Sequence, residues 1–312
     1  MTTPESYAEP DKLGALPADD SLRTRVVRAA AAALGEARAA AAVAEADPHA
    51  AVHAVRKALR QLRAMVDLVG PALPKRERKD LARGFAAARR SLGPARDQEV
   101  ARDLLGTIAP LHELTAAAEA VDAAAAPDRV AAEAMVADVQ RAVAEAATHV
   151  DALTAAMPDE LRPRHVARGL ARTYKRARSA RRRAKRSERA VHRWRRRAKE
   201  LSYQLTIVDV LPGTDELRAA LRNLDHQLSA AVDHLMAKDY VRLYGGDADD
   251  ALALQGAVHN GLLAGADVAR STSRGLFNMR PKKLRRQLVS ALAGAAAVTD
   301  DRDHDHGDAD AG

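Results

Sequence analysis

Two stretches decide the fold: Val52–Val66, VHAVRKALRQLRAMV, and Val191–Leu205, VHRWRRRAKELSYQL. They lie 139 residues apart and match position by position. Counting from His53 and His192, apolar residues recur at −1, +2, +6, +9 and +13: Val52, Val55, Leu59, Leu62 and Val66, then Val191, Trp194, Ala198, Leu201 and Leu205. Basic residues recur at +3, +4 and +7: Arg56, Lys57 and Arg60, then Arg195, Arg196 and Lys199. At the ~100° per residue of an α-helix, the apolar set spans about 80° and the His-plus-basic set an adjoining arc of about 100°. Each stretch is therefore predicted to be a helix that buries one stripe and presents a cationic strip beside it.

The rest of the chain reads the same way. Hydrophobic residues make up 47% and aromatics only 3%. That Ala-, Leu- and Val-rich composition suits close-packed helices better than sheets, so the fold class is all-α. A helix is predicted from Ser21 to about Ala46, and Asp47-Pro48 caps the helix of the first motif, which ends at Gly70-Pro71. Further helices are expected from Lys75 to Leu92, from Asp97, and in two Ala/Glu-rich segments reaching about Met157. After the break at Pro158–Pro163 comes a long basic helix, then the second motif, ending at Leu211-Pro212-Gly213. Helices near 214–236, 249–275 and 281–297 complete the set. The expected organisation is a disordered lead (1–20), one domain (21–298) in two halves (21–157 and 158–298), and a disordered acidic tail (299–312).

The 312-residue chain carries 50 Lys and Arg against 42 Asp and Glu, a net charge of +8. The surplus is concentrated: Arg162 to Lys199 holds 18 basic residues and one acid, Glu188, whereas the tail from Thr299 holds six Asp and one Arg. A basic surface of this kind points to a polyanion. Neither motif strip carries the i,i+4 acids that usually balance a solvated basic face, so the like charges call for an external anion. Phosphates fit, because Arg offers a planar fork of donors and Lys a point charge. Aromatics for base stacking are scattered, and Trp194 falls on the apolar stripe, which disfavours a single-strand nucleic-acid reader. Sequence-blind duplex binding of the nucleoid type, with 162–199 as a basic arm, is the second reading.

Other chemistry is thin. There is no cysteine, hence no disulfide or thiolate metal site. No Walker-type loop is present, Arg164-His165-Val166 lacks the glycine of a histidine phosphatase, and no paired carboxylates lie beside the basic faces to hold Mg²⁺. His304 and His306 in the tail read as part of a solvated acidic segment rather than a metal site. No cofactor, metal or catalytic residue is expected. Nor is a signal peptide or membrane span.

His53-x-x-Arg56-Lys57-x-x-Arg60-x-x-Arg63 and His192-x-x-Arg195-Arg196-x-x-Lys199-x-x-x-Tyr203 resemble the two signature helices of the CHAD (conserved histidine α-helical domain) family. Arg96-Asp97-x-Glu99-Val100, the run Leu170–Arg176 with Arg172 and Arg176, and Arg280-Pro281-Lys282-Lys283 extend the resemblance over most of 21–297. It implies two pseudo-symmetric helical bundles around a basic central channel that binds inorganic polyphosphate without catalysis, with a cytoplasmic location on polyphosphate granules. The implied ligand contacts are His53, Arg56, Lys57, Arg60, Arg63, Arg96, Arg172, Arg176, His192, Arg195, Arg196, Lys199, Tyr203, Lys282 and Lys283. Two departures weaken the second half: Ser202 stands where the family has a basic residue, and Asp225-His226-Gln227-Leu228 keeps only the outline of the acidic turn. The stronger grip is expected on the His53 side and along 162–199. His53 and His192 are either hydrogen-bonded structural residues or phosphate contacts. If they are contacts, bound polyphosphate raises their pKa values and affinity increases from about pH 8 to about pH 6.

Overall fold

The computed structural model describes residues 21–185, 187–208 and 214–305. The predicted lead (1–20), the Leu211-Pro212-Gly213 break and the last tail residues (306–312) lie outside them. Eleven α-helices are described: α1 Leu22–Ala42, α2 Pro48–Val69, α3 Lys75–Ser91, α4 Gly93–Ile108, α5 Thr115–Ala125, α6 Ala132–Ala156, α7 Pro163–Arg183, α8 Glu188–Ile207, α9 Thr214–Tyr244, α10 Asp249–Thr272 and α11 Pro281–Asp305. No strand occurs among the described residues. None of the described helices is long and apolar enough to cross a membrane.

The helix starts follow from capping chemistry. Ser21 accepts from the Thr24 N–H at 3.1 Å, and Asp47 accepts from the Ala50 N–H at 2.9 Å with Pro48 in the first turn. α4 begins at Gly93, four residues before the predicted start. The Gly93-Pro94 pair is its first turn rather than a gap, because a proline's fixed φ suits that position. α9 continues to Tyr244, past the predicted end near 236, since Ala237, Tyr240 and Val241 are buried. α11 runs to Asp305, through the first part of the segment read as tail.

All ten apolar positions of the repeat are buried, and Trp194 is 0% exposed. The main core joins residues of α1, α2, α3 and α6 to residues of α7, α8, α9, α10 and α11. A smaller core packs α4 and α5 against the C-terminal part of α9 and the start of α10. Helices from both halves of the chain therefore share each core. α2 is the hub, packing on α1, α3, α4, α6, α7 and α8.

Two contacts hold α2 close to α7 and α8. The buried Gln204 side chain of α8 donates to the Ala64 carbonyl at 2.8 Å. On α7, Gly169 lies directly against the backbone of Leu68, with no room for a methyl group. Gly169→Ala should therefore force the two backbones apart, at about 1–3 kcal/mol, and lower the urea midpoint. Gly35→Ala on α1, whose added methyl meets nothing within 4 Å, should instead stabilise by up to about 1 kcal/mol through helix propensity. Equal midpoints for the two variants would contradict the α2–α7 contact.

Candidate anion-binding site

The α2–α8 contact brings the two predicted cationic strips together, and α3 and α7 add to them. Arg56, Arg89, Arg195 and Arg196 all act on His192. Arg60 acts on Arg89, Lys199 and Tyr203. Arg63 acts on Arg196, which links this group to a second cluster on α7. There Arg63, Arg172 and Arg176 converge on one carboxylate, Asp67, at 2.9, 3.8 and 3.4 Å. Arg78 and Arg168 also act on Arg172.

The absence of acids from these faces does not hold in three dimensions. The helices around the strips supply carboxylates that the local sequence does not show. Arg56 donates to the Leu92 carbonyl at 2.8 Å and pairs with Asp97 of α4 at 3.3 Å. Lys57 pairs with Glu36 of α1 at 3.4 Å. Lys199 pairs with Asp225 of α9 at 3.0 Å, and Arg195 lies 3.9 Å from the same carboxylate. Arg195 also donates twice to the Ser229 hydroxyl, at 3.1 and 2.6 Å. Within α8 itself, Arg197 pairs with Glu200 three residues on, an acid that the local sequence does show.

The turn after the second motif thus still holds the motif's cations, though it is altered in sequence. Asp225 holds the arginine three residues after His192, as Asp97 holds the arginine three residues after His53. Ser229 accepts hydrogen bonds from Arg195.

Burial and repulsion set the ionisation of the site. Lys199 is held down at about 8 from its ordinary 10.5, because burial and the Arg195 and Arg60 charges outweigh its pairing with Asp225. His192 is held at about 4, from 6.5, by burial and then by Arg195, Arg196, Arg89 and Arg56. Its side chain is exposed on α8 yet lies within the fields of these four arginines. Arg89, Arg172 and Arg196 are all shifted down, with burial first and neighbouring arginines next. The buried Tyr203 phenol is pushed up, chiefly by burial.

The predicted contacts therefore sort into groups. Arg56, Arg60, His192, Arg195, Arg196 and Lys199 share one field, and Arg63, Arg172 and Arg176 share the adjoining one. Lys57 is nearby but paired to α1. His53 is exposed on α2. Tyr203 lies in the protein beneath the cations. Lys282 and Lys283 stand at the exposed start of α11, which packs on α7. The Arg96 side chain lies outside the described residues. Sequence reasoning missed Arg89 and Asp67. Arg89 belongs to neither motif; Asp67 sits on the motif helix four residues after Arg63, but its α7 partners are over a hundred residues away in sequence.

The geometry sets the ionisation from which any ligand-linked titration starts. In the free protein His192 stays neutral from pH 8 to 6, and Lys199 is the group that titrates near the upper end of that window. A second consequence concerns stability. Above pH 6.5 His192 is neutral in both folded and unfolded chains. Between 6.5 and about 4 the unfolded chain takes up a proton that the folded site refuses, so stability is lost as pH falls through this range. His192→Gln should remove that part of the loss: variant and wild type differ little in urea midpoint at pH 7.5, and the variant is the more stable at pH 5. A wild type that loses no more stability than the variant between these pH values would contradict the placement of His192 among the arginines.

The CHAD domain family model matches residues 25–242, more than half of the sequence, and the chain belongs to the CHAD domain family. Its fold is similar to the crystal structure of the CHAD domain from the plant Ricinus communis, with a TM-score of 0.56 and 20% sequence identity, covering 89% of this chain and 94% of that one. At that identity the likeness concerns the fold. No curated protein sequence matches the chain.

Proposed function

We propose that the protein binds inorganic polyphosphate, without turning it over, in a basic channel lined by the α2, α3, α7 and α8 cations. The observation that carries this reading is the convergence of cations from separate helices: Arg63, Arg172 and Arg176 meet at Asp67, Arg195 and Lys199 meet at Asp225, and Arg56, Arg89, Arg195 and Arg196 all act on His192. Two guanidinium groups roughly 4–8 Å apart repel by about 2–4 kcal/mol at an effective dielectric of about 20. Total stability is only about 5–15 kcal/mol, so a cluster of this kind is a standing cost unless an anion relieves it. The internal carboxylates relieve part of it, and a phosphate chain supplies evenly spaced charge for the remainder.

The aromatics separate this ligand from single-stranded nucleic acid. Trp194, Tyr174, Tyr203, Tyr240, Phe85 and Phe277 are all buried and cannot serve as stacking platforms. Recognition then rests on charge and spacing, for which a polymer of phosphates alone suffices. Association with polyphosphate granules in the cytoplasm follows as the expected setting. The exposed cations at the α7–α8 turn, Arg182, Arg183, Lys185 and Arg189, keep sequence-blind duplex binding as the second reading.

Competition decides between them. At matched phosphate concentration and about 150 mM salt, long-chain polyphosphate should displace a bound fluorescent polyphosphate far better than duplex DNA does. Equal displacement would favour the nucleic-acid reading. Phosphate release in the presence of Mg²⁺ or Mn²⁺ would contradict the non-catalytic part.

Replacing Lys199 and Arg196 together by Gln should weaken polyphosphate binding. It should also flatten the log-affinity against log-salt slope by on the order of 0.7 for each phosphate charge left without its cation. An unchanged slope would place the ligand elsewhere.

A further inference from the structure

The cations of the site differ in one respect that their sequence pattern does not show. Arg56, Lys57, Arg63, Arg172, Arg176, Arg195 and Lys199 are each bound to a carboxylate of the protein. Among the described residues, the half-buried Arg89 and the exposed Arg196 make no side-chain hydrogen bond and no ion pair. The acids that act on them are engaged with other groups: Asp97 acts on Arg89 but pairs with Arg56, and Glu200 acts on Arg196 but pairs with Arg197. Arg196 acts on Arg89, and both act on His192; the end of α3 that carries Arg89 is fixed to the α2 strip, where Arg56 donates to the Leu92 carbonyl at 2.8 Å. They come from helices that pack separately on α2, with Arg60 of α2 acting on Arg89.

A half-buried arginine without a counter-ion is costly. Burial and like charge both work against Arg89, and the pull of Asp97, which is paired with Arg56, does not offset them. A lysine or arginine that merely solvated α3 would point away from the α8 cations. A structural arginine would hold a carboxylate or a carbonyl, as Arg56 does.

We propose that Arg89, a residue outside both signature motifs, is a ligand-reserved cation that acts with Arg196 as a bridge, one phosphate-bearing chain binding to both across the cationic face of α2. This rests on the polyphosphate reading above. The paired cations shape the site and set its potential, while the two unpaired arginines exchange water for phosphoryl oxygens without first breaking an internal ion pair. Bidentate contact from the planar guanidinium suits this role.

The bridge predicts opposite signs in two readouts of one variant, on the full chain. Arg89→Gln should raise the urea midpoint of the ligand-free protein at low salt, because it removes an uncompensated charge, and the gain should shrink as salt rises. The same variant should weaken binding of long-chain polyphosphate, measured by calorimetric titration, by about tenfold, the effect of removing one charge-assisted hydrogen-bond donor. Arg89→Lys, which keeps the charge, should retain more of the affinity than Arg89→Gln. Arg141→Gln, on α6 and paired with Asp138, serves as the reference for removing an arginine elsewhere. A variant that binds as wild type does overturns the bridge while leaving polyphosphate binding intact. A fall in both midpoint and affinity makes Arg89 a structural residue and also overturns it. Failure of the wild type to bind polyphosphate defeats the functional reading itself.

Discussion

The close approach of α2 to α7 and α8 is the constraint on which the rest depends. Gly169 lets the α7 backbone touch Leu68, and Gln204 ties α8 to Ala64. With the apolar stripes of α2 and α8 both buried in one core, each cationic strip has a fixed direction. The fold thereby commits the protein to holding like charges at short range. Burial of the stripes supplies the driving force: a fully buried Leu or Val side chain contributes about 1.5–3 kcal/mol, and the two motif helices bury ten such positions or their equivalents.

That commitment explains the carboxylates around the site. Glu36, Asp67, Asp97, Asp225 and Glu200 come from α1, α2, α4, α9 and α8, and each holds one to three cations. They neutralise part of the repulsion and fix side chains that would otherwise be flexible. Asp67 is the densest case: a largely buried carboxylate, 8% exposed, with three arginines around it. Burial first, and then the remaining like charges, lower Lys199 to about 8 and His192 to about 4. The site is therefore pre-organised and under electrostatic tension, which favours an anion that can touch several groups at once.

Much of this was legible in the sequence, for a physical reason. Helical period and residue type together specify which side of a helix is buried, so the all-α class, the paired register and the placement of Trp194 in the core could be read directly. The two cap residues Ser21 and Asp47 were visible because capping is a local interaction. Tertiary pairing was not visible. Lys57 with Glu36, Arg195 with Asp225, and Arg172 with Asp67 join residues that no local pattern relates. Arg89 looked like one more basic residue in a basic helix, and only its place beside Arg196 and its lack of a partner distinguish it. The low value of His192 in the free protein was not visible for the same reason, since it follows from burial and from arginines that come partly from α2 and α3.

The central claim is that a polyphosphate chain relieves repulsion built into the fold. Thermal unfolding of the intact protein tests it most directly, comparing long-chain polyphosphate with orthophosphate at equal total phosphate and low salt. Tm should rise with polyphosphate, by an amount that orthophosphate does not reproduce and that diminishes as salt is added. An unchanged Tm with polyphosphate, or an equal rise with orthophosphate, would contradict it.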